Sequence, residues 1–290
     1  MKVCLIGYEG SKHILPASSY LIGKYLPEEF DIQFLNFGDY NQEDLHRGTY
    51  VKLEDEDDGV QSWAKYLVKY FESIEDKYVI FALDDMFLCR EINMNSYNNL
   101  FNKFQNDEDI SCAKLGISPS YRPHEYQMVD ENIFVLNANA GYSATTQYTI
   151  WDKKVLIDIL NDSTDPWHFE NHGSTYFNQS GYKVIGTTDI VLPYNESTAL
   201  SKKQPGKISV LGNTKEDIEY MIKNDMLDEN CLCMGQPIGE VKSYTEFKDN
   251  PYQSLEQLGD AEQISYYTLI LDSCLQPPSN HINTIKETSI

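Results

Sequence analysis

Two adjacent aspartates close the most strand-like segment of this sequence. Tyr78-Val79-Ile80-Phe81-Ala82-Leu83 is a near-continuous apolar run, and it stops at Asp84-Asp85. Open α/β sheets take their ligands outside the carboxyl ends of their strands, so the pair stands where a ligand binds. Neighbouring carboxylates repel one another in an apolar setting and favour a cation. Oxygen-only donors suit Mg²⁺ or Mn²⁺, ions that keep waters and accept phosphate oxygens as further ligands. A plainer alternative stays open, in which both aspartates cap the next turn by accepting its backbone N–H groups.

Other residue groups offer chemistry with less specificity. Gly7 and Gly10 follow the first apolar run, where glycine lets a backbone approach a ligand or merely shapes a β-α turn. His168 and His172 are spaced i, i+4 and share one face if helical, but no Cys or third His lies near them in sequence. Solvated or hydrogen-bonded histidines are the simpler reading. Lys202, Lys203 and Lys207 form a basic cluster that reads as a solvated loop, with a lid over a diphosphate as the alternative. The acidic run Glu54 to Asp58 reads as a solvated loop.

The elements that must position these residues alternate. Val3 to Gly7 is a buried-strand run, Ser18 to Tyr25 a helix ended by Pro27, and Phe30 to Phe37 a half-buried strand. A helix over Val60 to Ile74 precedes the Tyr78–Leu83 strand, and a helix over Ser96 to Phe104 precedes a strand over Ile110 to Leu115. Such β-α alternation predicts a mainly parallel, twisted sheet flanked by helices. Further on, the pattern predicts a strand over Ile133 to Leu136 and a helix over Thr145 to Leu160. It also predicts a compact loop over Asp165 to Gly173 and short strands at Tyr182 to Gly186 and Ile190 to Leu192. The pattern predicts a first α/β domain over 1–207, a helical C-terminal extension over 208–275 and a flexible tail over 276–290.

Composition narrows the function classes. The formal net charge is 23 − 45 = −22, which disfavours a general nucleic-acid binder or an anionic membrane surface. An acidic protein that binds an anion locally needs a cation to help it. No run of about 18 apolar residues predicts a membrane span. Six scattered cysteines without a Cys-x-x-Cys pair read as reduced, packed thiols. The expectation is a cytoplasmic protein without a membrane span.

Tyr78 to Leu88 (YVIFALDDMFL), Gly141 to Trp151 (GYSATTQYTIW) and Pro166 to Glu170 (PWHFE) occur in that order. Together they resemble the GT-A class of nucleotide-sugar glycosyltransferases, particularly small bacterial and viral enzymes with a Leu-Asp-Asp-x-Phe element. The resemblance covers roughly residues 1–195, with its last segment at Ile190 to Ser197, and order and spacing carry it. The acidic element departs from the commoner Asp-x-Asp spelling, which leaves open which carboxylate touches a metal and whether one is needed.

The resemblance implies a GT-A-like fold and an inverting, divalent-metal-assisted transfer of a hexosyl or pentosyl group to an acceptor hydroxyl. It places the nucleotide at Gly7, Tyr8, Glu9 and Ser11, with Tyr8 stacking on the base. Asp84 and Asp85 would reach the diphosphate through Mn²⁺ or Mg²⁺, which offsets charge on the departing nucleotide. Glu170 would be the base that takes the attacking hydroxyl's proton. Trp167 and Phe169 would desolvate it and stack on a sugar, while Gly141, Gln147 and Trp151 would line the sugar pocket. Structural roles for several of these are equally available: Trp151 in the core, Gln147 in a cap, Glu170 at a helix N-terminus. The acceptor is a glycan or, less readily given the charge, a modified DNA base, and the C-terminal helices shape the acceptor site or a homo-oligomer interface. Two other functions stand beside transfer. One is nucleotidyl transfer, for which only Lys12 is available near the first strand. The other is a non-catalytic glycan-binding or assembly protein on a transferase-like fold.

Overall fold

The apolar runs of the first half pair side by side. In the computed structural model, which describes residues 1–56, 59–116, 124–138, 140–198, 206–210, 212–234 and 242–243, the chain forms two compact units. The first unit comprises Met1–Met86 and Glu91–Pro193. Its elements are β1 (Lys2–Ile6), α1 (Leu15–Tyr25), β2 (Asp31–Asn36), β3 (Thr49–Lys52), α2 (Trp63–Ser73) and β4 (Tyr78–Leu83). After β5 (Met86–Leu88) come α3 (Met94–Gln105), β6 (Ile110–Lys114), β7 (Tyr126–Met128) and β8 (Ile133–Leu136). The unit ends with β9 (Thr149–Asp152), α4 (Lys153–Asn161), α5 (Pro166–Ser180) and β10 (Lys183–Thr187).

The nine-stranded sheet has the order β3-β2-β1-β4-β9-β6-β10-β8-β7. Parallel pairing joins β3, β2, β1 and β4, and again β6 and β10, while β9 and β8 run against their neighbours. Mixed α/β with a mostly parallel sheet is therefore the architecture, as the alternation predicts. The strands β1, β2 and β3 step outward in one direction, and β4 then pairs on the other side of β1. The order thus reverses between β1 and β4. In open α/β sheets, the carboxyl ends of strands at such a reversal are where ligands bind.

Period-two side-chain alternation divides the sheet into two faces. Cys4, Ile6, Val79, Phe81, Cys112 and Trp151 share one face and build a core with Trp63, Leu67 and Phe71 of α2. Val155, Leu156, Ile159 and Leu160 of α4, with Phe169 and Phe177 of α5, complete it. Aromatic rings lock that core: Phe169 stands within 6 Å of Trp63, Phe81 and Trp151, at centroid distances of 5.9, 5.6 and 5.7 Å.

Two predicted elements change type. The helix expected over Thr145 to Leu160 is instead a loop, then β9, then α4, and Asp152 starts the helix by accepting from the Lys154 and Val155 N–H groups. Thr149-Ile150-Trp151 is β-branched and aromatic, so its apolar positions belong to a strand. Gln147 and Trp151 are accordingly not one helical turn apart. The loop expected over Asp165 to Gly173 is the first half of α5, with Asp165 accepting from His168 N–H at 2.8 Å and Pro166 in the first turn. The strand expected at Ile190 to Leu192 lies further on, at β11 (Tyr194–Glu196).

The second unit comprises Phe87–Arg90 and the described residues from Tyr194 onward. There β11 pairs with β5, and a three-stranded sheet holds β12 (Ile208–Ser209), β13 (Leu232–Met234) and β14 (Lys242–Ser243). One helix, α6 (Lys215–Lys223), is capped by Thr214, whose hydroxyl oxygen accepts from Asp217 N–H. The helices expected beyond residue 243, the tail over 276–290, and Lys202 and Lys203 lie outside the described residues. Among the described residues, no helix is long and apolar enough to cross a membrane.

Candidate active site

At the carboxyl ends of β1 and β4, close packing around Asp84 leaves no room for a side chain at Gly7. Gly7 follows β1, and its backbone N–H donates to Leu35 carbonyl oxygen at 2.9 Å. A Cβ at Gly7 would stand 2.0 Å from Asp84 Oδ2 and 2.5 Å from Asn36 Nδ2, so glycine here is required by close approach. Asp84 is 3% exposed. Its N–H donates to Ile6 carbonyl oxygen at 3.0 Å, and its own carbonyl accepts from Ser18 Oγ at 2.9 Å. Its Oδ2 lies 2.5 Å from Ser11 Oγ, and Asn36 Nδ2 donates to that same Oγ at 3.3 Å.

Ser11 has one hydroxyl proton and two acceptors in reach, Asp84 Oδ2 and Tyr8 carbonyl oxygen at 2.8 Å. A proton on Asp84 satisfies both contacts. Burial, and next the charge of Asp85, push the Asp84 carboxyl well above the usual carboxylate range, in the same direction. Asp84 is therefore turned inward and engaged, whereas Asp85 is only partly buried. Both sequence-predicted aspartates stand just beyond the carboxyl end of β4, but they are not equivalent.

The loop after β1 carries the other predicted nucleotide contacts. Tyr8 is 55% exposed, and its hydroxyl is pushed up by burial and by the charges of Asp84 and Asp85. Gly10 leaves room for the Tyr8 ring, since a Cβ there would meet ring carbon Cε2 at 2.5 Å. Glu9 is exposed and lies 3.9 Å from Lys12 Nζ.

A second set of residues reaches the same end of the central strands, from α5 and from the loop before β9. Glu170 lies in the second turn of α5, and its Oε1 accepts from Thr145 Oγ1 at 3.2 Å, Thr146 N–H at 2.9 Å and Thr146 Oγ1 at 2.9 Å. Thr146 carbonyl oxygen in turn accepts from Leu83 N–H at 3.0 Å, one residue before Asp84. One threonine thus ties the carboxyl end of β4 to Glu170. The other carboxylate oxygen, Oε2, takes no hydrogen bond from the described residues. α5 comes this close because Gly173 has no side chain: a Cβ there would meet Ala144 Cβ at 2.5 Å.

Of the remaining predicted contacts, Trp167 is 54% exposed one turn before Glu170. Gln147 and the exposed Gly141 belong to the loop before β9, where a Cβ at Gly141 would meet nothing within 4 Å. Trp151 and Phe169 are corrections. Both are 0% exposed in the aromatic core, so neither ring lines a ligand pocket. Phe169 follows from α5 being a helix, which turns it inward when Trp167 faces out. His168 and His172 stack at 5.5 Å, and His172 Nε2 lies 3.8 Å from Asp162.

Sequence reasoning missed Lys114, the last residue of β6. It lies two residues after Cys112 and so shares the face on which α5 packs. Its Nζ donates to Tyr142 carbonyl oxygen at 2.7 Å, and burial pushes its ammonium down to about 8 against the opposing charges of Cys112 and Glu170. A lysine closing an otherwise apolar strand was the available signal.

No protein-family model and no curated protein matches the sequence. Solved structures similar to this chain include S. aureus TarS 1-349 in complex with UDP, at 14% identity and a TM-score of 0.43, over 67% of this chain and 59% of that one. The mannosyltransferase PcManGT from Pyrobaculum calidifontis in complex with GDP-Man and Mn²⁺ aligns at 11% identity and a TM-score of 0.42, over 94% and 73%. A UDP-glucose pyrophosphorylase complexed with UDP-glucose aligns at 10% identity and a TM-score of 0.39, over 65% and 90%. The chain spans less than two thirds of the length of the TarS 1-349 chain.

For a divalent cation, the donor chemistry at these strand ends is hard and oxygen-only. Asp85 fits as a ligand because it is partly exposed beyond the carboxyl end of β4. Asp84 fits as the residue behind it, since Ser11 and Gly7 hold its Oδ2 inside. Among the described residues no group of three or more His, Cys, Asp or Glu gathers, so substrate oxygens and water would complete such a shell.

Proposed function

We propose that this protein is a glycosyltransferase that moves a hexosyl or pentosyl group from a nucleotide-sugar donor to an acceptor hydroxyl, with inversion at the anomeric carbon. One observation carries the reading: the Asp84-Asp85 end of β4, at the point where strand order reverses, is joined through Thr146 to a carboxylate with one oxygen left over. The donor's nucleotide lies against the Gly7–Ser11 loop with its base near Tyr8. Its diphosphate faces Asp85, and the cation held there, Mn²⁺ or Mg²⁺, would supply Lewis-acid stabilisation of the leaving group.

Glu170 acts on the other side of the anomeric carbon. Its Oε1 is fixed by three donors, which aims Oε2 and limits the carboxylate's rotation. The acceptor hydroxyl gives its proton to Oε2 while its oxygen bonds to the anomeric carbon, and the bond from that carbon to the diphosphate oxygen breaks. Trp167, exposed and one turn away, offers a ring face to the acceptor sugar. A glycan is the acceptor favoured here, with a modified DNA base second. The alternative of nucleotidyl transfer gains no support from Lys12, whose Nζ donates to Asp39 carbonyl oxygen at 3.1 Å.

A thermal-shift screen of nucleotide sugars and nucleoside diphosphates, each with Mn²⁺, Mg²⁺ or EDTA, tests the donor site. The expected result is stabilisation by one donor that depends on the metal and disappears in Asp85→Ala. Glu170→Gln is expected to keep that stabilisation and to lose transfer by about 100-fold or more. Full transfer by Glu170→Gln would remove Glu170 from the reaction, and release of pyrophosphate from a nucleoside triphosphate would move the assignment to nucleotidyl transfer.

A further inference from the structure

Lys114 is the only fully buried lysine or arginine among the described residues, at 2% exposure. A buried ammonium is costly unless hydrogen bonds and nearby opposite charge offset its lost hydration. Its hydrogen-bond acceptor is unusual too. Tyr142 has φ +50, a left-handed conformation that a bulky residue adopts only where its surroundings impose it.

The residues just after Tyr142 meet α5 at Glu170 and Ser174. Ser143 Oγ donates to Ala140 carbonyl oxygen at 3.0 Å and tightens the turn. Ala144 N–H donates to Ser174 Oγ at 3.3 Å, and Ser174 Oγ donates to Glu170 carbonyl oxygen at 2.6 Å. Thr145 and Thr146 then supply the three donors to Glu170 Oε1. We infer that Lys114 is a positioning residue for Glu170, its ammonium holding the strained Tyr142 turn so that Thr145 and Thr146 reach Oε1. This rests on Glu170 being the base of the proposed transfer. A cation suits the position because the carbonyl bond becomes charge-assisted and the same charge lies within electrostatic reach of Glu170.

Hydrogen exchange resolved over residues 140–148, on the full chain, separates this inference from the transferase reading. In Lys114→Met, exchange of the Thr146 amide is expected to rise about tenfold while β1 and β4 stay protected. Transfer is expected to fall by about 100-fold with the donor's thermal shift retained, as misplacement of a base does. Lys114→Arg, which keeps the charge, is expected to recover part of both, and it serves as the readout if Lys114→Met does not fold. Unchanged exchange at Thr146 overturns the inference whatever the activity shows, and so does a rise spread evenly over the sheet. If Glu170→Gln transfers at full rate, the transferase role of Glu170 fails while a local rise at Thr146 still upholds Lys114 as the residue that holds the turn.

Discussion

Asp84 and Glu170 stand at the carboxyl end of β4, one in the chain and one reached through Thr146, and are held by opposite means. Asp84 is enclosed, with its Oδ2 against Ser11 and no room for a methyl group at Gly7. Glu170 is half-buried, and three donors converge on one of its oxygens while none of the described residues donates to the other. A carboxyl group that is desolvated and contacted on one side is poorly placed to trade protons or ligands. A carboxylate anchored through one oxygen is well placed to use the second. In the proposed transfer this difference gives Asp84 an architectural part, beside the Asp85 it precedes, and gives the proton-accepting part to Glu170.

The sharpest way to break this comparison is to fill the space beside Asp84. Gly7→Ala puts a methyl carbon onto Asp84 Oδ2 and Asn36 Nδ2, both of them tied by hydrogen bonds. Overpacking of this kind costs about 3 kcal/mol, so a large drop in melting temperature together with loss of donor binding is expected. A Gly7→Ala protein with wild-type stability and donor shift would show that Asp84 moves freely. The matching change on the Glu170 side is Gly173→Ala, which presses on Ala144 Cβ and Ile159 Cγ2. About 1–2 kcal/mol is expected there, with acceptor turnover reduced more than donor binding. Equal losses in both functions would erase the distinction between the two sides.

Much of the Asp84 side was legible in the sequence, because its parts are local. A buried strand, two aspartates, and a glycine after the first strand are each visible within a few residues, and the strand-end rule converts them into a site. The Glu170 side was legible only as residue names. Its geometry depends on α5 lying against a loop some 25 residues earlier in the chain, through Gly173 and Ala144, and no periodicity reports such a contact. Reading Thr145 to Leu160 as one helix merged a strand with the helix that follows it, since Trp151, Val155 and Ile159 also fall at helical spacing. That error placed Trp151 toward the ligand. Tertiary packing, through the rings of Phe169 and Phe177, decided otherwise.

Lys114 allows a smaller and more selective test of the Glu170 side, through pH. An unfolded lysine keeps its ordinary pKa of 10.5, whereas burial brings the folded one down to about 8. Between those values the unfolded chain binds more protons than the folded chain, so stability rises with pH across that window. Below about 8 the cost of the buried charge is present in full, and above 10.5 it is gone. The difference corresponds to on the order of 3 kcal/mol. Lys114→Met lacks this group, and the other ionisable residues cancel when the two proteins are compared at each pH. Denaturant titrations should therefore show wild type gaining on Lys114→Met by about that amount from neutral pH to above 10.5. A difference that is flat with pH would mean that the ammonium is not buried in solution. The turn at Tyr142 would then be held by something other than its charge.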